Sequence, residues 1–442
     1  MSLKTKDKIV LFWFRRDLRL HDNAGLYYAL RSGYPVVPLF IFDRNILDDL
    51  EEKKDARLTF IHEAVSNIQR ELQQKGADIL VEYGFPAKIW ERLADEYDIA
   101  EVYTNTDYEP YATDRDKEVY RILKKKGIVF KTCKDQVIFE KQEILTGQKT
   151  PYTVFTPYSR AWKEKLTDFY LQSYPTQKYF RHFLKWSGSA FPALKDMGFE
   201  KVEFKFPSDH IDHALLKDYN KDRDFPALAG TSRMGIHLRF GTVSIRELTS
   251  QARRHSETFL NELIWRDFYQ QILFNFPHVG KGEAFRKAYD FIKWRYDKDD
   301  FRKWCEGKTG YPLVDAGMRQ LNATGFMHNR ARMVTASFLA KHLLIDWRWG
   351  EAYFAEKLLD YDLAANNGGW QWAVGSGTDA APYFRIFNPV SQAEKFDPKM
   401  EYIKKWVPEF GTDAYPAPMV DHKEARERCL KTYKDALDKA NQ

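Results

Sequence analysis

The sequence predicts a two-part chain, a doubly wound, Rossmann-like α/β domain with a parallel sheet followed by an all-α half. Three observations lead there. Through residue 133, short apolar β-favouring runs alternate with helix-like segments, and continuous apolar strands separated by helices belong to a parallel sheet covered on both faces. From Ile211 onward no such strand run recurs and helical periodicity dominates to the C-terminus. Between the two, residues 134–207 break into Gly, Pro, Ser and aromatic residues, the composition of a long connection. The expected domains are therefore 1–133 and 208–442, joined by an interdomain linker over 134–207.

In chain order the expected strands are KIVLFWF, YPVVPLFIF, DILVEY, EVYTN and IVFKTC. Helices are expected over residues 23–31, 54–74, 86–96 and 113–126. A G-x-G-x-x-G fingerprint is missing after the first strand, where Trp13-Phe14-Arg15-Arg16-Asp17 stands instead, which argues against dehydrogenase-type cofactor binding. The connection includes GQKTPYTVFTPYSRAW and YPTQKYF and is expected to run over the surface, with one helix near 159–170. A structureless segment of that length is uncommon unless it is functional or packs on both domains. A short charged helix, Asp421 to Ala440, closes the sequence.

With 442 residues, 44% hydrophobic and 30% charged, the chain reads as globular and long enough for a full core. The 16% aromatic share suggests stacking surfaces as well as core. The longest apolar runs fall far short of the roughly 20 residues that cross a bilayer, and the lysine-rich start is followed by too short an apolar run for a secretory signal. Three widely spaced cysteines, Cys133, Cys305 and Cys429, form neither a metal pattern nor a disulfide framework, which points to a reducing cytosol. No metal site is expected, and monomer is the default assembly. A net charge of +6 permits nucleic-acid binding without requiring it.

Four constellations stand out in the helical half. Gly230-Thr231-Ser232-Arg233-Met234-Gly235 reads as a turn entering a helix, able to cradle a phosphate or, the commoner use of Thr and Ser, simply to cap the helix. Asn261-Glu262-Leu263-Ile264-Trp265-Arg266 puts Glu262, Trp265, Arg266 and Tyr269 on one helical face, suited to a flat ligand with polar edges or to a surface ion pair beside a core tryptophan. Lys308-Thr309-Gly310-Tyr311-Pro312 precedes Met327-His328-Asn329-Arg330-Ala331-Arg332-Met333, in which Asn329 and Met333 stand one turn apart. Lone His328 reads as a hydrogen-bonded structural residue rather than a zinc ligand, and Met333 by default fills core. The fourth, Asp360 to Asn388, packs two aspartates, two asparagines, a Gly-Gly pair and two tryptophans into its first thirteen residues. It reads as the wall of a flat polar ligand, the alternative being a buried polar turn capped by aromatics.

Taken as an ordered set with Trp13-Phe14-Arg15-Arg16-Asp17-Leu18-Arg19 and His21-Asp22-Asn23, these motifs resemble the DNA photolyase/cryptochrome family, and within it the class I cyclobutane pyrimidine dimer photolyases of bacteria. The resemblance covers nearly the whole chain. It implies an all-α C-terminal FAD-binding domain with the cofactor in a U shape, and an N-terminal antenna domain. The FAD pocket it implies comprises Tyr219, Thr231, Ser232, Arg233, Met234, Gly235, Phe259, Glu262, Arg266, Arg332, Asp360, Asp362 and Asn366. Arg332 is expected to pair with Asp362, and Asn366 to face the flavin N5 nitrogen, where a neutral amide accepts a hydrogen bond and favours full reduction.

For UV-damaged DNA, the implied partner, the resemblance places Trp265 and Trp372 on either side of a flipped-out dimer, with Asn329 and Met333 against its bases. Arg223, Arg330 and Gln392 would grip phosphates. Glu262 would stabilise the dimer radical anion by hydrogen bonding, best when burial keeps its carboxyl protonated. The implied reaction is light-driven: one electron passes from photoexcited reduced FAD to the dimer, the cyclobutane ring opens, and the electron returns. Trp370, Trp347 and Trp304 match the family's photoreduction relay.

The sequence also departs from the pattern. Gly235 stands where a serine is usual and Phe326 where a tryptophan is. Around Tyr108-Glu109-Pro110-Tyr111-Ala112 the Asn-Glu pair of folate-binding photolyases is absent, which argues against methenyltetrahydrofolate and leaves a deazaflavin, a second flavin or an empty antenna cleft. Three rivals compete with dimer repair. A six-four photolyase would show His-His where His328-Asn329 stands. A cryptochrome-type blue-light sensor would share the flavin pocket and relay but commonly extends beyond them. A plain flavin electron-transfer protein would not need Trp265 and Trp372 facing a DNA-sized cavity.

Overall fold

In a computed structural model of the chain, residues 7–440 are described. Five strands, β1 (Ile9–Phe14), β2 (Val36–Asp43), β3 (Leu80–Gly84), β4 (Ile99–Asn105) and β5 (Val129–Cys133), form one sheet in the order β3-β2-β1-β4-β5. Every pairing is parallel, with β1 in the centre, for example Phe12 opposite both Pro38 and Tyr103. All six residues of β1 are buried, which is why this strand is apolar throughout rather than alternating. The intervening helices are α1 (Ala24–Leu30), α2 (Arg44–Leu47), α3 (Ala56–Gln73), α4 (Pro86–Glu96) and α5 (Pro110–Lys125). Asn23 and Asp55 cap α1 and α3 with their side chains. Helix α5 starts three residues before the expected 113 because Pro110 occupies its first turn, where a missing N–H costs nothing.

The remaining helices are α6 (Phe155–Lys165), α7 (His213–Asp222), α8 (Gly235–Phe240), α9 (Ile245–His255), α10 (Glu257–Asn275), α11 (Lys298–Glu306), α12 (Pro312–Thr324), α13 (Asn329–Ser337), α14 (Trp347–Lys357), α15 (Leu363–Val374), α16 (Pro389–Phe396), α17 (Glu401–Trp406) and α18 (His422–Ala440). A π-helical turn, Phe338–His342, follows α13 directly. Helix α6 begins earlier than the expected 159 because Pro157 is accommodated in its first turn.

The chain divides into two compact units. One holds the described residues up to Glu140 with Leu166–His210 and Met234–Gln251; the other holds Lys141–Lys165, Ile211–Arg233 and the described residues from Ala252 onward. In the first unit, Asp135 after β5 accepts from Arg19 at 2.7 Å and from Arg246 of α9 at 2.8 Å, and Arg246 also pairs with Asp22 at 2.9 Å. All four are buried. Burial raises the Asp135 pKa, but the two guanidiniums outweigh it and hold the carboxyl below its ordinary range. In the second unit, Trp162 of α6 is fully buried and donates its indole N–H to Asp267 of α10 at 3.0 Å. A segment that reads as surface connection thus contributes core. The main core of this unit gathers Trp304, Trp347 and Trp370 with Leu313, Phe338 and Tyr433. Among the described residues no helix is long and apolar enough to cross a membrane.

Candidate active site

Helices α10 and α15 pack side by side, as do α13 and α15, and they carry most of the residues singled out above. Gly368 permits the first contact: a Cβ there would lie 2.2 Å from the Tyr269 ring, whereas a Cβ on Gly369 would meet nothing within 4 Å. One glycine of the pair therefore serves helix packing, and the other, exposed, leaves backbone open to approach. Gly350 of α14 makes room for Trp370 in the same way, since a Cβ would lie 2.1 Å from the indole.

Asp362 caps α15, accepting from the Ala365 N–H at 3.2 Å, and also takes both contacts of the Gln270 amide at 3.1 Å. Arg332 pairs instead with Asp360, at 2.8 and 3.1 Å, and donates to the Met327 carbonyl at 2.7 Å. This corrects the expected Arg332–Asp362 pair; capping duty and Gln270 occupy Asp362. Asn366 donates its Nδ2 to the Glu351 carbonyl at 3.1 Å, which leaves its Oδ1 as an acceptor. Arg233, in the left-handed region at φ 55°, lies with its guanidinium 4.4 Å from the Phe326 ring centre, and Arg332 lies 5.8 Å from the same ring. The phenylalanine that departs from the family pattern is thus a platform for two arginines. Neither Thr231 nor Ser232 caps α8; the position falls to Met234, which makes no side-chain cap bond. Met234 and Gly235 belong to the first unit, whereas Tyr219 and the residues through Arg233 belong to the second. Phe259 packs edge-on against Tyr219 at 5.3 Å, and Arg266 is half-buried on α10.

Two sets of contacts hold the residues expected to meet substrate. In one, Arg223 is ion-paired to Glu262, the adjacent Asp224 accepts from Arg330 at 2.8 Å, and the Arg330 guanidinium lies 3.9 Å from the centre of Phe396 on α16, the helix that carries Gln392. Burial pushes the Glu262 carboxyl up, Arg223 opposes it, and the net shift is upward. In the other, Phe155 stacks on Trp265 at 3.7 Å and 3° between planes, Asp379 accepts from the Phe155 backbone N–H, and Phe387 lies 6.4 Å from Trp372 at 27°. Asn329 sits one turn from Met333, its amide 3.8 Å from the sulfur. His328 caps α13, its Nδ1 accepting from the Arg330 N–H at 3.1 Å, and burial lowers its pKa to about 4. It is the structural residue expected.

Of the three relay tryptophans, Trp304 and Trp370 meet at 6.1 Å. No ring contact joins Trp347 to either. All three are at most 2% exposed, so none offers an end to solvent; Trp294 and Trp349, partly buried against the same core, do. Sequence reading missed these two, and it missed Phe155, whose only signal was its place in an aromatic-rich segment.

Comparison with known proteins identifies the architecture. Residues 10–178 match the family model described as DNA photolyase, and residues 259–412 match that described as the FAD binding domain of DNA photolyase. A deoxyribodipyrimidine photo-lyase from Escherichia coli strain K12 is 38% identical, covering 96% of this chain and 98% of its own. The crystal structure of a bacterial class III photolyase from Agrobacterium tumefaciens superposes with a TM-score of 0.85 at 33% identity, covering 99% of each chain. An archaeal photolyase from Sulfolobus tokodaii, solved with two FAD molecules, gives a TM-score of 0.80 at 33% identity, covering 97% of this chain and 100% of its own. A parallel α/β unit with a helical flavin-binding unit defines the class. The chain belongs to the DNA photolyase family, and its helical unit carries that family's FAD-binding domain.

The residues present fit FAD. The Nε1 of Trp370, the Oε1 of Gln270 and the Oδ1 of Asn261 are buried on α15 and α10 without a hydrogen-bond partner, an arrangement that is costly unless a polar group meets them. On α15, Asn366 keeps its Oδ1 free of the Glu351 contact and Gly369 leaves its backbone open.

Proposed function

We propose that this chain is a light-dependent DNA-repair enzyme, a deoxyribodipyrimidine photo-lyase that splits cyclobutane pyrimidine dimers in UV-damaged DNA. The helical unit is the catalytic domain and the α/β unit the antenna domain. The observation that carries the reading is that one unit holds Glu262 paired with Arg223, Arg330 paired with the adjacent Asp224, Trp265 stacked on Phe155 and Trp372 beside Phe387: an acid, cations and two aromatic rings.

A dimer stacked in duplex DNA cannot reach a buried cofactor, so it must be flipped out, at a cost of a few kcal/mol that damage lowers. Phe155 covers one face of Trp265 and fixes its plane, so the opposite face receives the flipped bases, with Trp372 as the second wall and Asn329 and Met333 alongside. Glu262, held up in pKa by burial, donates a hydrogen bond to a base carbonyl where negative charge develops. Arg223 and Arg330 are each ion-paired to a carboxylate. A DNA phosphate takes them by exchanging partners, a sequence-independent and salt-sensitive attachment, and Gln392 adds a polar contact.

Tyr219, Arg233, Arg332, Asp360 and Asp362 would hold FAD, and Asn366, whose Nδ2 is held by the Glu351 carbonyl, would offer its Oδ1 as an acceptor to the flavin. The chemistry that bound FAD supplies is light-driven transfer of one electron to the dimer and its return once the cyclobutane ring has opened. Trp370 and Trp304, in ring contact, with Trp347 carry photoreducing electrons, and Trp294 or Trp349 provides the solvent end. A chromophore bound in the α/β unit would act as antenna, a deazaflavin or a flavin rather than folate, the alternative being an empty cleft. The enzyme acts as a monomer in a reducing cytosol, in keeping with three free cysteines.

The test is repair of a thymine dimer in an oligonucleotide under blue light, with reductant and a dark control. Restoration of thymines only in the light is expected, with the yield reduced about tenfold in Glu262→Ala and lesion binding weakened about tenfold in Trp265→Ala. Flavin photoreduction without any repair would overturn the reading in favour of a light sensor.

A further inference from the structure

The segment after α15, residues 375–388, has no helix or strand, yet it spans the two tryptophans of the substrate site. Near its start the Thr378 hydroxyl donates to the Thr153 carbonyl and Asp379 binds the backbone of Phe155, which stacks on Trp265. Near its end Phe387 lies against Trp372. Between these ends the chain makes a turn closed by the Arg385 N–H on the Pro382 carbonyl at 2.8 Å. Phe384 on this turn is 61% exposed, and the Arg385 side chain is exposed as well.

Lys341 holds the turn from below. Its ammonium donates to the Arg385 carbonyl at 2.8 Å, and the whole residue is 0% exposed. The π-helical turn Phe338–His342 carries it; such turns insert an extra residue and recur at functional sites. Burial lowers its pKa to about 8, with Cys429 of α18 opposing and Arg385 adding to the fall; His342 is its titratable neighbour on the turn itself. An ammonium in a core is costly compared with a methionine of similar length. The carbonyl of Arg385 is what its charge serves.

Resting on the dimer-repair reading, we infer that Lys341 is a positioning residue: it fixes the Phe384–Arg385 turn between Trp265 and Trp372, where lesion-containing DNA meets the chain. Fully buried, it acts through the backbone carbonyl it holds.

The test uses the FAD-loaded enzyme and its Lys341→Met variant. Flavin absorbance and photoreduction rate should match the wild type. Affinity for a dimer-containing oligonucleotide should fall about tenfold, and trypsin should cut after Arg385 about tenfold faster. Wild-type lesion affinity should decline from pH 7 to 9 as the ammonium loses its proton, and the variant's should stay level over that range. Phe384→Ala, an exposed change that leaves folding alone, should weaken lesion binding by a similar factor, and the double variant should bind no more weakly than the weaker single one. Unchanged trypsin cutting in Lys341→Met, or unchanged lesion affinity in Phe384→Ala, overturns the inference. If the wild type repairs no dimer yet Lys341→Met still frees the turn, dimer repair fails and the anchoring role stands.

Discussion

At the scale of single residues, the proposed dimer repair makes Glu262 the group whose protonation matters most, because only the acid form donates a hydrogen bond. Burial raises its pKa and the paired Arg223 guanidinium lowers it. The sign follows directly: the donating form is lost as pH rises through the folded-state pKa, so repair yield per absorbed photon falls toward higher pH. Replacing Arg223 by Met removes the opposing charge and moves that fall to higher pH, while phosphate affinity drops. A yield profile measured on both proteins at saturating DNA checks this; superimposable profiles would mean that Glu262 does not titrate in the reaction. Arg332 shows why pairings resist sequence reading. Asp360 and Asp362 are both in reach by spacing, and the choice is made by the Ala365 N–H and the Gln270 amide, which claim Asp362.

At the scale of elements, the Gly368-Gly369 pair separates packing from ligand approach. Gly368→Ala forces a methyl into the Tyr269 ring and must push α10 and α15 apart, costing about 1–3 kcal/mol. Gly369→Ala meets open space, and an alanine gains up to about 1 kcal/mol over glycine in a helix. Thermal unfolding of the flavin-free protein should therefore show a lower midpoint for the first and an equal or higher one for the second, with FAD affinity reduced in both. A lower apo midpoint for Gly369→Ala would place an unrecognised contact at that position. The helical character of this half was legible as periodicity, but its boundaries were not: Asp362, read as part of a ligand wall or a polar turn, caps α15, and Pro312 opens α12. The stacking of α6's Phe155 on α10's Trp265 was not legible either, because no local pattern says which distant helix will cover an aromatic face.

At the scale of the folded chain, α18 is docked by buried polar contacts as well as apolar ones. His342 and His422 share a hydrogen bond at 2.8 Å, Arg428 donates to the His342 carbonyl at 2.6 Å, and Cys429 and Tyr433 are fully buried. Burial lowers the His342 pKa to about 3 and that of His422 as well. An unfolded histidine titrates near 6.5, so the unfolded chain takes up protons that the folded one refuses. The stability contributed by neutral His342 is complete above about pH 6.5 and is lost as pH falls toward its folded value, about 2 kcal/mol by pH 5. The unfolding midpoint should drop from pH 7 to pH 5 in the wild type and drop less in His342→Phe, read by thermal melts of the FAD-loaded protein at both pH values. An equal drop in both would assign acid sensitivity to other groups.

By itself the sequence determined the parallel α/β unit and the helical remainder, because continuous apolar runs and helical periodicity are local consequences of burial. It also marked the contiguous stretches that resemble the family's motifs, such as Asp360 to Trp372. Tertiary structure alone decided that Arg332 takes Asp360, that Phe155 covers Trp265, that Trp304, Trp347 and Trp370 are all sealed from water, and that Lys341 reaches the Arg385 carbonyl. Each depends on which residues far apart in sequence come within a few ångströms, and on which oxygen is already occupied. Competition of that kind is settled only when the chain has packed.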